Sequence, residues 1–410
     1  MVELRAFKGI RPPAELASRV ASPPYDVLSV SEARDMASPE PYSFLHVIRA
    51  EVDLDEDINP YSDEVYEKGG ENFNKFMSEG ILRQDDAGSL TIYRLEMDGR
   101  IQTGVVGAVS SADYEKGLIK KHELTRPDKE KDRTKHTLAL GVNPGPVFLT
   151  YVATDALDAL TGRLTSGGPD YDFVAADGIR HTLWVVRRPD DIKALEDGFA
   201  PVPCLYIADG HHRASVANII AKKKKKENPD HKGDELYNYF LAVCFPHDQL
   251  KIMDYNRVVK DLAGLGADEF MGKVKEKFDL APSDVGKPAA RHTFKMLLHG
   301  TWYELTAKPG TFDEKDPVGG LDVSILQDNL LGPVLGIKDP RTDKRIDFVG
   351  GIRGMQELEA RCSSDCAVAF ALYPMSIEEL LGIADAGLLV PPKSTWFEPK
   401  LRSGLVVKPL

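Results

Sequence analysis

A five-residue turn between an apolar run and a helix-forming run is the feature that most constrains this chain. The three segments are Leu205-Tyr206-Ile207-Ala208, Asp209-Gly210-His211-His212-Arg213 and residues 214–221. Gly210 lets the backbone turn sharply and approach a ligand. Amides at the start of the following helix face that ligand, with the positive end of the helix dipole behind them. The pattern predicts a phosphate-binding turn at a strand-to-helix junction.

The side chains of this turn suit the same ligand. Arg213 can donate to two phosphate oxygens at once. His211 and His212 can donate hydrogen bonds to phosphate, and one of them can carry a proton. The alternative is a structural turn in which Asp209 caps the helix and the histidines are solvated. Two adjacent histidines followed by an arginine at a helix start favour the phosphate-binding interpretation.

A second candidate cluster lies in the charged stretch 115–140. It comprises Lys120-Lys121-His122-Glu123-Leu124-Thr125-Arg126-Pro127 and Asp132-Arg133. Phosphoryl transfer to a hydroxyl needs a carboxylate that takes the proton and cations that offset the developing charge. Glu123 can supply the carboxylate, and Lys121, Arg126 and Arg133 can supply the cations. The alternative is an exposed charged loop, which such runs usually form.

The chain length predicts several lobes, because 410 residues exceed what one hydrophobic core usually holds. We expect a Pro-rich N-terminal α/β lobe at 1–110, a phosphate-binding core at 111–262 and a C-terminal α/β lobe at 263–410. Residues 1–60 have turn signals and a loop-like composition. Helical spacing is predicted near 62–80, and a helix begins the last lobe at 268–277. Strands are predicted at 90–95, 104–109, 147–152, 181–186, 205–208 and 239–245.

The charge balance and the apolar runs exclude several classes. The formal net charge is −12, which disfavours general nucleic-acid binding. The run Lys222 to Lys226 is a nucleic-acid patch or a solvated helix end, and the second interpretation is favoured. No run has the ~18–20 apolar residues of a membrane span. The N-terminus lacks a signal-peptide pattern, so we expect a cytoplasmic protein. Cys362 and Cys366 lack a second half-site for zinc and are expected to be free thiols.

The two motifs together resemble the ParB/sulfiredoxin superfamily. Within it, the chain is similar to the free serine kinases over its middle part, and to the family called domain of unknown function 1015 nearly end to end. The segments that carry the second resemblance are Ser22 to Val27, Pro41 to Val47, His122 to Thr125, Asp209 to Arg213, Asn256 to Val259, Pro391 to Phe397 and Pro399 to Leu405.

The resemblance implies roles for these residues. In the serine kinases the glutamate of the His-Glu motif activates the serine hydroxyl, a role that falls on Glu123 beside His122. Their Asp-Gly-His-His-Arg loop holds nucleotide phosphates and metal, which implies ATP or ADP, Mg²⁺ and a metal contact at Asp209. On the sequence alone, Lys393-Ser394-Thr395 is interpreted as a polar turn. The resemblance adds the alternative that this turn is a second contact to substrate or phosphate. Asp26 is a Mg²⁺ ligand or part of a structural turn.

The chain departs from its relatives at several positions. The serine kinases keep the two motifs close in sequence, so residues 141–204 must be an insertion or extra strands here. Tyr255-Asn256-Arg257 replaces a Thr-His-Arg pattern of the family. The sulfiredoxin branch needs a cysteine where this chain has His211. The DNA-partitioning branch has Glu-Arg-Arg at the corresponding place and a DNA-binding domain beside it, whereas this acidic chain has no helix-turn-helix pattern. Neither chemistry is therefore expected.

The sequence predicts an α+β protein with a ParB/sulfiredoxin-like central sheet that acts as a nucleotide-dependent small-molecule kinase. Glu123, His122, His212 and Arg213 are the catalytic candidates, and free L-serine is the favoured acceptor. The expected partners are a nucleotide and a small hydroxyl-bearing substrate, without nucleic acid or membrane, and a homodimer is left open. A nucleotide-binding or slowly hydrolysing switch without an acceptor is the main alternative, and a nuclease or phosphodiesterase is a third.

Overall fold

The computed structural model describes residues 2–410, which form two compact units. The first unit comprises the chain up to Lys120, Thr125–Leu250 and Pro399–Leu410, and the second comprises Lys121–Leu124 and Lys251–Glu398. The boundaries at 110 and 262 stay predictions.

The strands are, in chain order, β1 Leu4–Arg5, β2 Ile10–Arg11, β3 Arg83–Gln84, β4 Leu90–Met97, β5 Arg100–Ser110, β6 Ile119–Lys120, β7 Val142–Asn143, β8 Val147–Tyr151, β9 Tyr171–Val174, β10 Arg180–Val186, β11 Leu205–Asp209, β12 Tyr239–Pro246, β13 Lys251–Met253, β14 Tyr255–Val259, β15 Phe278–Pro282, β16 Thr293–Leu298, β17 Thr301–Ala307, β18 Ile346–Gly350, β19 Val368–Leu372, β20 Trp396–Glu398 and β21 Lys408–Pro409. The α-helices are α1 Ala17–Val20, α2 Val30–Ala37, α3 Leu45–Ile48, α4 Asp63–Ser78, α5 Ser111–Glu115, α6 Pro127–Leu140, α7 Asp155–Leu164, α8 Pro189–Phe199, α9 His211–Glu227, α10 Ala267–Lys277, α11 Asp322–Leu326, α12 Gly354–Ser364 and α13 Ile377–Asp385. The fold class is thus mixed α+β, as predicted.

The first unit is built on a mixed sheet of nine strands. Their order is β6-β11-β8-β12-β5-β4-β10-β9, and β1 pairs with the long β5. The β11–β6 and β12–β8 pairs are parallel and the other pairs are antiparallel. Continuous apolar runs such as β8 and β12 are buried along their whole length, as strands covered on both faces must be.

Strand β11 and helix α9 place the predicted turn. The apolar residues of β11 lie in the core, and its register against β8 shifts between Ile207 and Asp209. Ala214 and Ala217 of α9 pack into the same core as Leu205, Ile207 and Phe240. The helix is therefore fixed by burial of one side while its first turn stays next to the end of the strand.

The second unit contains an antiparallel sheet of six strands. Their order is β15-β17-β16-β19-β14-β18, and β13 pairs separately with β20. Helix α12 covers this sheet, and Leu358 packs with Val258, Leu297 and Ala369. The pair β13–β20 fixes the end of the 391–397 segment within this unit.

Most predicted elements are confirmed, because their signals are local. Helices α4 and α10 and strands β4, β5, β8, β10, β11 and β12 lie where periodicity or apolar runs predicted them. Residues 141–204 contain β7 to β10 together with α7 and α8, so the predicted extra strands are present. The five lysines lie in the last turns of α9, where cations suit the helix dipole, and all four cysteines are free thiols.

The loop-like interpretation of residues 1–60 is wrong in part. Helix α2 begins with a capping box formed by Ser29 and Glu32, and α3 buries three apolar residues. The charged stretch is not a simple loop either, because it contains helix α6. This helix begins at Pro127 and is ended by Gly141, which has a left-handed backbone conformation. No helix within residues 2–410 combines the length and apolarity that crossing a bilayer requires.

Lys408 is expected to give the first unit a pH-dependent stability. Its Nζ donates to the carbonyl oxygens of Leu236 and Pro409, both at 2.7 Å, and burial lowers the pKa of Lys408 from 10.5 to about 7. Between these two values the unfolded chain binds a proton that the folded chain lacks. The free energy of unfolding is therefore expected to rise with pH across this window, by at most about 1.4 kcal/mol per pH unit.

Urea unfolding near pH 7 and near pH 9.5 measures this effect. Below pH 7 both states carry the proton and the cost of burying the charge is present in full. Lys408→Met keeps the buried methylenes and removes the titrating group, so its stability should change less over the same window. An identical pH dependence in the two proteins would contradict the assignment to Lys408.

Candidate functional site

The turn at 209–213 in the first unit depends on Gly210 for two reasons. Gly210 has φ 93°, in the left-handed region that favours glycine. A Cβ atom built on Gly210 would also lie 3.0 Å from Nε of Arg213 and 3.2 Å from its Cζ. The absence of a side chain therefore allows the chain to turn and allows the guanidinium of Arg213 to fold against the turn.

Arg213 is held in place but keeps one donor unused. Nη2 donates to Oδ2 of Asp209 at 3.1 Å, and Nη1 donates to the carbonyl oxygen of Pro146. Its Nε is buried and has no hydrogen-bond partner among the described residues. Burial lowers the pKa of Arg213, but the carboxylates of Asp26 and Asp209 outweigh this and raise it. Arg213 is thus a firmly charged donor at the turn, and leaving a buried donor unpaired is costly unless a ligand satisfies it.

Asp209 lies between two cations of the first unit. It is the last residue of β11, and its Oδ2 lies 3.1 Å from Nη2 of Arg213 and 3.7 Å from Nζ of Lys400. Asp26, an exposed residue of the Ser22–Val27 segment, acts on the charge of Arg213 more strongly than Asp209 does. The structure therefore brings two carboxylates close enough to act on Arg213.

The two histidines of the turn have different environments. His211 is buried at the first position of α9, and His212 is partly exposed. The backbone N–H of Arg126 donates to Nε2 of His212 at 3.0 Å. His212 therefore accepts through Nε2 and links the turn to the start of α6. The guanidinium of Arg126 is exposed and pairs with Asp128 at 2.8 Å.

Arg133 reaches the turn from α6. A cavity of about 40 Å³ in the first unit is lined by both Arg133 and Arg213. Nε of Arg133 donates to Oδ2 of Asp132 at 2.7 Å, and its Cζ lies 4.3 Å from the centre of the Tyr25 ring. Burial lowers the pKa of Arg133, but Tyr25 and Asp132 raise it overall. The charged stretch offers two candidate arginines, Arg126 and Arg133. Of these, Arg133 lines the cavity that Arg213 of the turn also lines.

A carboxylate that the sequence interpretation missed fixes the loop beside the turn. Oε1 of Glu130 accepts from Oγ1 of Thr125 at 2.6 Å and from the hydroxyl of Ser215 on α9. The side chain of Tyr114 also hydrogen-bonds to Ser215. This bracing holds the residues after Leu124 against α9.

The second unit holds the His-Glu motif. The carbonyl oxygen of His122 accepts from the backbone N–H of Val390 at 2.8 Å, and Nε2 of His122 lies 3.3 Å from Oγ1 of Thr395. His122 is buried and Glu123 is half-buried. Two hydrogen bonds, neither of which involves the Glu123 carboxylate, thus anchor the motif on the 390–395 segment.

Arg257 and Tyr255 provide the electrostatic environment of Glu123. Burial lowers the pKa of Arg257 to about 10, and the negative charge of Glu123 opposes that shift. Burial raises the pKa of Tyr255, and Glu123 adds to the increase. Arg257 also donates to the carbonyl oxygens of Lys393 and Pro392 at 3.0 and 3.2 Å. The second unit thus groups the predicted carboxylate with a buried cation.

The predicted residues therefore form two groups. The first unit collects Asp209, Gly210, His211, His212, Arg213, Arg126 and Arg133. The second collects His122, Glu123, Lys393, Ser394 and Thr395. Within the second group, Oγ of Ser394 donates to the carbonyl oxygen of Pro391 at 2.6 Å, and Lys393 lies over the Tyr255 ring at 5.6 Å with φ 58°.

The first group fits a phosphate with a divalent cation. The buried unpaired Nε of Arg213 and the start of α9 suit phosphate oxygens. Mg²⁺ is usually held by one or two carboxylates together with substrate phosphates. Asp209 and Asp26, the carboxylates that act on Arg213, are the residues that would hold it.

A family model described as protein of unknown function (DUF1015) matches residues 4–324. No curated protein matches the chain.

Several solved structures are similar at low identity. A mutant free serine kinase in complex with AMP is 11% identical, with a TM-score of 0.37, and the match covers 72% of this chain and 87% of that chain. SbnI from Staphylococcus aureus, truncated at its C-terminus, is 12% identical with a TM-score of 0.37, and covers 72% and 82%. A conserved hypothetical protein from Pyrococcus furiosus is 12% identical with a TM-score of 0.36, and covers 74% and 95%. At these scores the similarity carries no inference about activity.

Proposed function

The chain belongs to the family described as protein of unknown function (DUF1015), and because that description names no activity, we propose a function from its two groups of residues. The protein is a nucleotide-dependent kinase that phosphorylates the hydroxyl of a small molecule. The 209–213 turn holds the nucleotide phosphates, and Glu123 is the base. Free L-serine is the favoured acceptor, and the sheet of the first unit is assigned to the ParB/sulfiredoxin superfamily on the two motifs.

The observation that carries this proposal is the unpaired Nε of Arg213. A buried guanidinium donor without an acceptor loses hydrogen-bond energy of about 1–3 kcal/mol, which a bound anion would restore. The donor lies against Gly210, whose left-handed turn leads into α9. The amides and dipole of a helix start favour the same kind of ligand. A phosphate group therefore satisfies the turn, the helix and the arginine together.

The reaction is a transfer of the terminal phosphoryl group. The hydroxyl oxygen of the acceptor forms a bond to phosphorus, and the bond from phosphorus to the bridging oxygen of the nucleotide breaks. The proton of the hydroxyl goes to the carboxylate of Glu123, and the nucleotide leaves with one phosphate fewer. Bound Mg²⁺ would offset the negative charge of the phosphates.

The residues of this chain have distinct parts in the proposed reaction. Arg213 and Arg133 bind and orient phosphate oxygens, since two guanidinium groups line one cavity. His212 accepts the backbone N–H of Arg126 and keeps the loop after Glu123 in a fixed position. His122 orients the motif through Val390 and Thr395.

An acceptor screen tests the proposal. Purified protein is mixed with Mg²⁺, ATP or ADP, and pools of free amino acids and small alcohols, and products are identified by mass spectrometry. A phosphorylated product such as O-phosphoserine establishes the kinase and names its acceptor. Nucleotide binding by calorimetry without any product would overturn the kinase in favour of the switch. If the protein neither binds nucleotide nor forms a product, the turn binds another anion or has only a structural role.

A further inference from the structure

A small cavity in the second unit is lined by a buried carboxyl group with one unsatisfied oxygen. The volume of this cavity is about 10 Å³, which is room for a single group of the size of a water molecule. Asp322, the first residue of α11, lines the cavity and is 7% exposed. Its Oδ2 is buried and has no hydrogen-bond partner among residues 2–410. Because burying an unsatisfied polar atom is costly, the position of this oxygen beside a cavity requires an explanation.

The contacts of its neighbours hold the carboxyl group of Asp322 in place. The backbone N–H of His292, the residue before β16, donates to Oδ1 at 2.9 Å. His292 has φ 63°, and its Nε2 lies 3.2 Å from the carbonyl oxygen of Gly320. These two contacts join the start of β16 to the start of α11. Oδ1 is therefore committed to the backbone, and Oδ2 is the oxygen left for a ligand.

Ser394 adds a second acceptor to the wall of the cavity. It is 4% exposed, and its Oγ donates to the carbonyl oxygen of Pro391 at 2.6 Å. A hydroxyl has one hydrogen, so the oxygen of Ser394 can only accept any further hydrogen bond. With Asp322 ionised, the cavity therefore offers two acceptors to a ligand that donates. Apolar side chains form much of the remaining wall, namely Leu321, Val323, Pro374 and Met375.

The charged groups at the cavity leave Asp322 without a cation of its own. Arg291 lines the cavity with half of its side chain exposed, and its Nη2 pairs with Oε1 of Glu379 at 2.8 Å. The other oxygen of Glu379 accepts from the backbone N–H of Ser376 at 2.8 Å. Arg291 and Glu379 thus compensate each other, and an ionised Asp322 gives the cavity a net negative charge.

The protonation of Asp322 depends on what the cavity contains. Burial raises the pKa of Asp322 to about 7, and the carboxylate of Glu379 adds to the rise. The backbone N–H groups of His292 and Tyr373 and the guanidinium of Arg291 favour the charged form without cancelling the effect of burial. A bound cation would keep the carboxyl group charged, whereas a water molecule supplies a hydrogen bond but no positive charge.

We propose that this cavity binds the primary ammonium group of a small amine or amino acid. An ammonium group has three donors, no acceptor and a positive charge, which match the oxygens of Asp322 and Ser394 and the net charge of the cavity. The carbon atom attached to the ammonium would contact the apolar part of the wall. This site lies within the second unit and does not rest on the proposed kinase activity.

Equilibrium dialysis of the full chain against radiolabelled methylammonium tests the inference. The wild type, Asp322→Asn, Ser394→Ala and Asp279→Asn are compared, with potassium chloride keeping the ionic strength constant. Asp279→Asn is the matched control, because Asp279 lies on β15 of the same unit, is 73% exposed and loses the same charge. Asp322→Asn is expected to weaken binding by roughly tenfold or more, since it removes the charge and one acceptor. Ser394→Ala should weaken binding several-fold, and Asp279→Asn should bind as the wild type does.

Unlabelled competitors identify the kind of molecule that carries the ammonium group. L-Serine and ethanolamine both have a primary ammonium group, and lactate has a hydroxyl and a carboxylate but no ammonium group. Stronger displacement of methylammonium by L-serine than by ethanolamine upholds the site for an amino acid. Equal or stronger displacement by ethanolamine upholds it for a simple amine. Displacement by lactate would overturn the proposal.

Further outcomes would also overturn the site. Absence of saturable methylammonium binding in the wild type would mean that the cavity holds only water. Equal displacement by tetramethylammonium, which has no N–H donor, would exclude recognition of a primary ammonium group. Unchanged affinity in Asp322→Asn would remove Asp322 from the site. If urea unfolding shows that Asp322→Asn is not folded, unchanged affinity in a folded Ser394→Ala overturns the proposal. The dialysis contains no nucleotide, so its result is independent of the kinase activity.

Discussion

Glu123→Gln is expected to lower the turnover of the hydroxyl acceptor by about two to four orders of magnitude, because general-base catalysis contributes that much. Glutamine has the shape of glutamate but cannot take the proton. The backbone carbonyl of His122 still accepts from Val390, and its ring still contacts Thr395, so the motif keeps its position. Nucleotide affinity, measured by calorimetry, should change by no more than about twofold.

Glu227→Gln is the matched control for this prediction. Glu227 is the last residue of α9, its side chain is 54% exposed, and the same change removes the same charge from the surface. Turnover in this variant should equal that of the wild type, with rates measured by mass spectrometry on the acceptor found in the screen. Full turnover in Glu123→Gln would show that Glu123 is not the base. A parallel loss of nucleotide binding would show that the change disturbs the turn instead.

The strand, turn and helix at 205–221 could be predicted because every signal is local. An apolar run must be buried, Gly210 permits the left-handed turn, and alanines at 214 and 217 pack one side of α9 on the sheet. The structure adds the fold-back of Arg213 against Gly210, which follows from the same few residues.

Contacts between distant parts of the chain could not be predicted from these patterns. Tyr25 stacks on Arg133, and Lys400 meets Asp209, although each pair is far apart in sequence. Such pairs depend on sheet order and on where the C-terminal segment returns, which neither periodicity nor composition specifies. The family resemblance pointed to the segments that contain Tyr25 and Lys400 without assigning these residues a role.

Other helices had boundary signals that were visible in the sequence. Ser29 and Glu32 form the capping box of α2, which was predicted as part of a loop-like region. Pro127 and Gly141 mark the start and end of α6 inside the charged stretch. Proline content therefore concealed the first helix. In the charged stretch a loop was only the alternative interpretation, and the helix found there carries Arg133 to the cavity.

Arg213→Ala is expected to weaken nucleotide binding by roughly 10- to 100-fold, because hydrogen bonds from a charged group contribute about 1.5–3 kcal/mol each. The change removes the unpaired Nε and the donors to Asp209 and Pro146. It also removes the neighbour of Gly210, so the turn loses its packing partner. The free energy of unfolding should fall by about 1–3 kcal/mol, because the acceptors of a buried cation are left behind.

Two comparison variants assign the loss to the guanidinium of Arg213. Arg213→Lys keeps the charge without the planar fork and should recover only part of the affinity, since lysine donates as a point charge. Arg180→Ala removes an arginine that is 52% exposed and paired with Asp172 in the same unit, and it should bind nucleotide as the wild type does. Binding is measured by calorimetry and stability by urea unfolding on the same preparations. Unchanged affinity in a folded Arg213→Ala would mean that the turn does not bind phosphate, and the unpaired donor would then reflect structure alone.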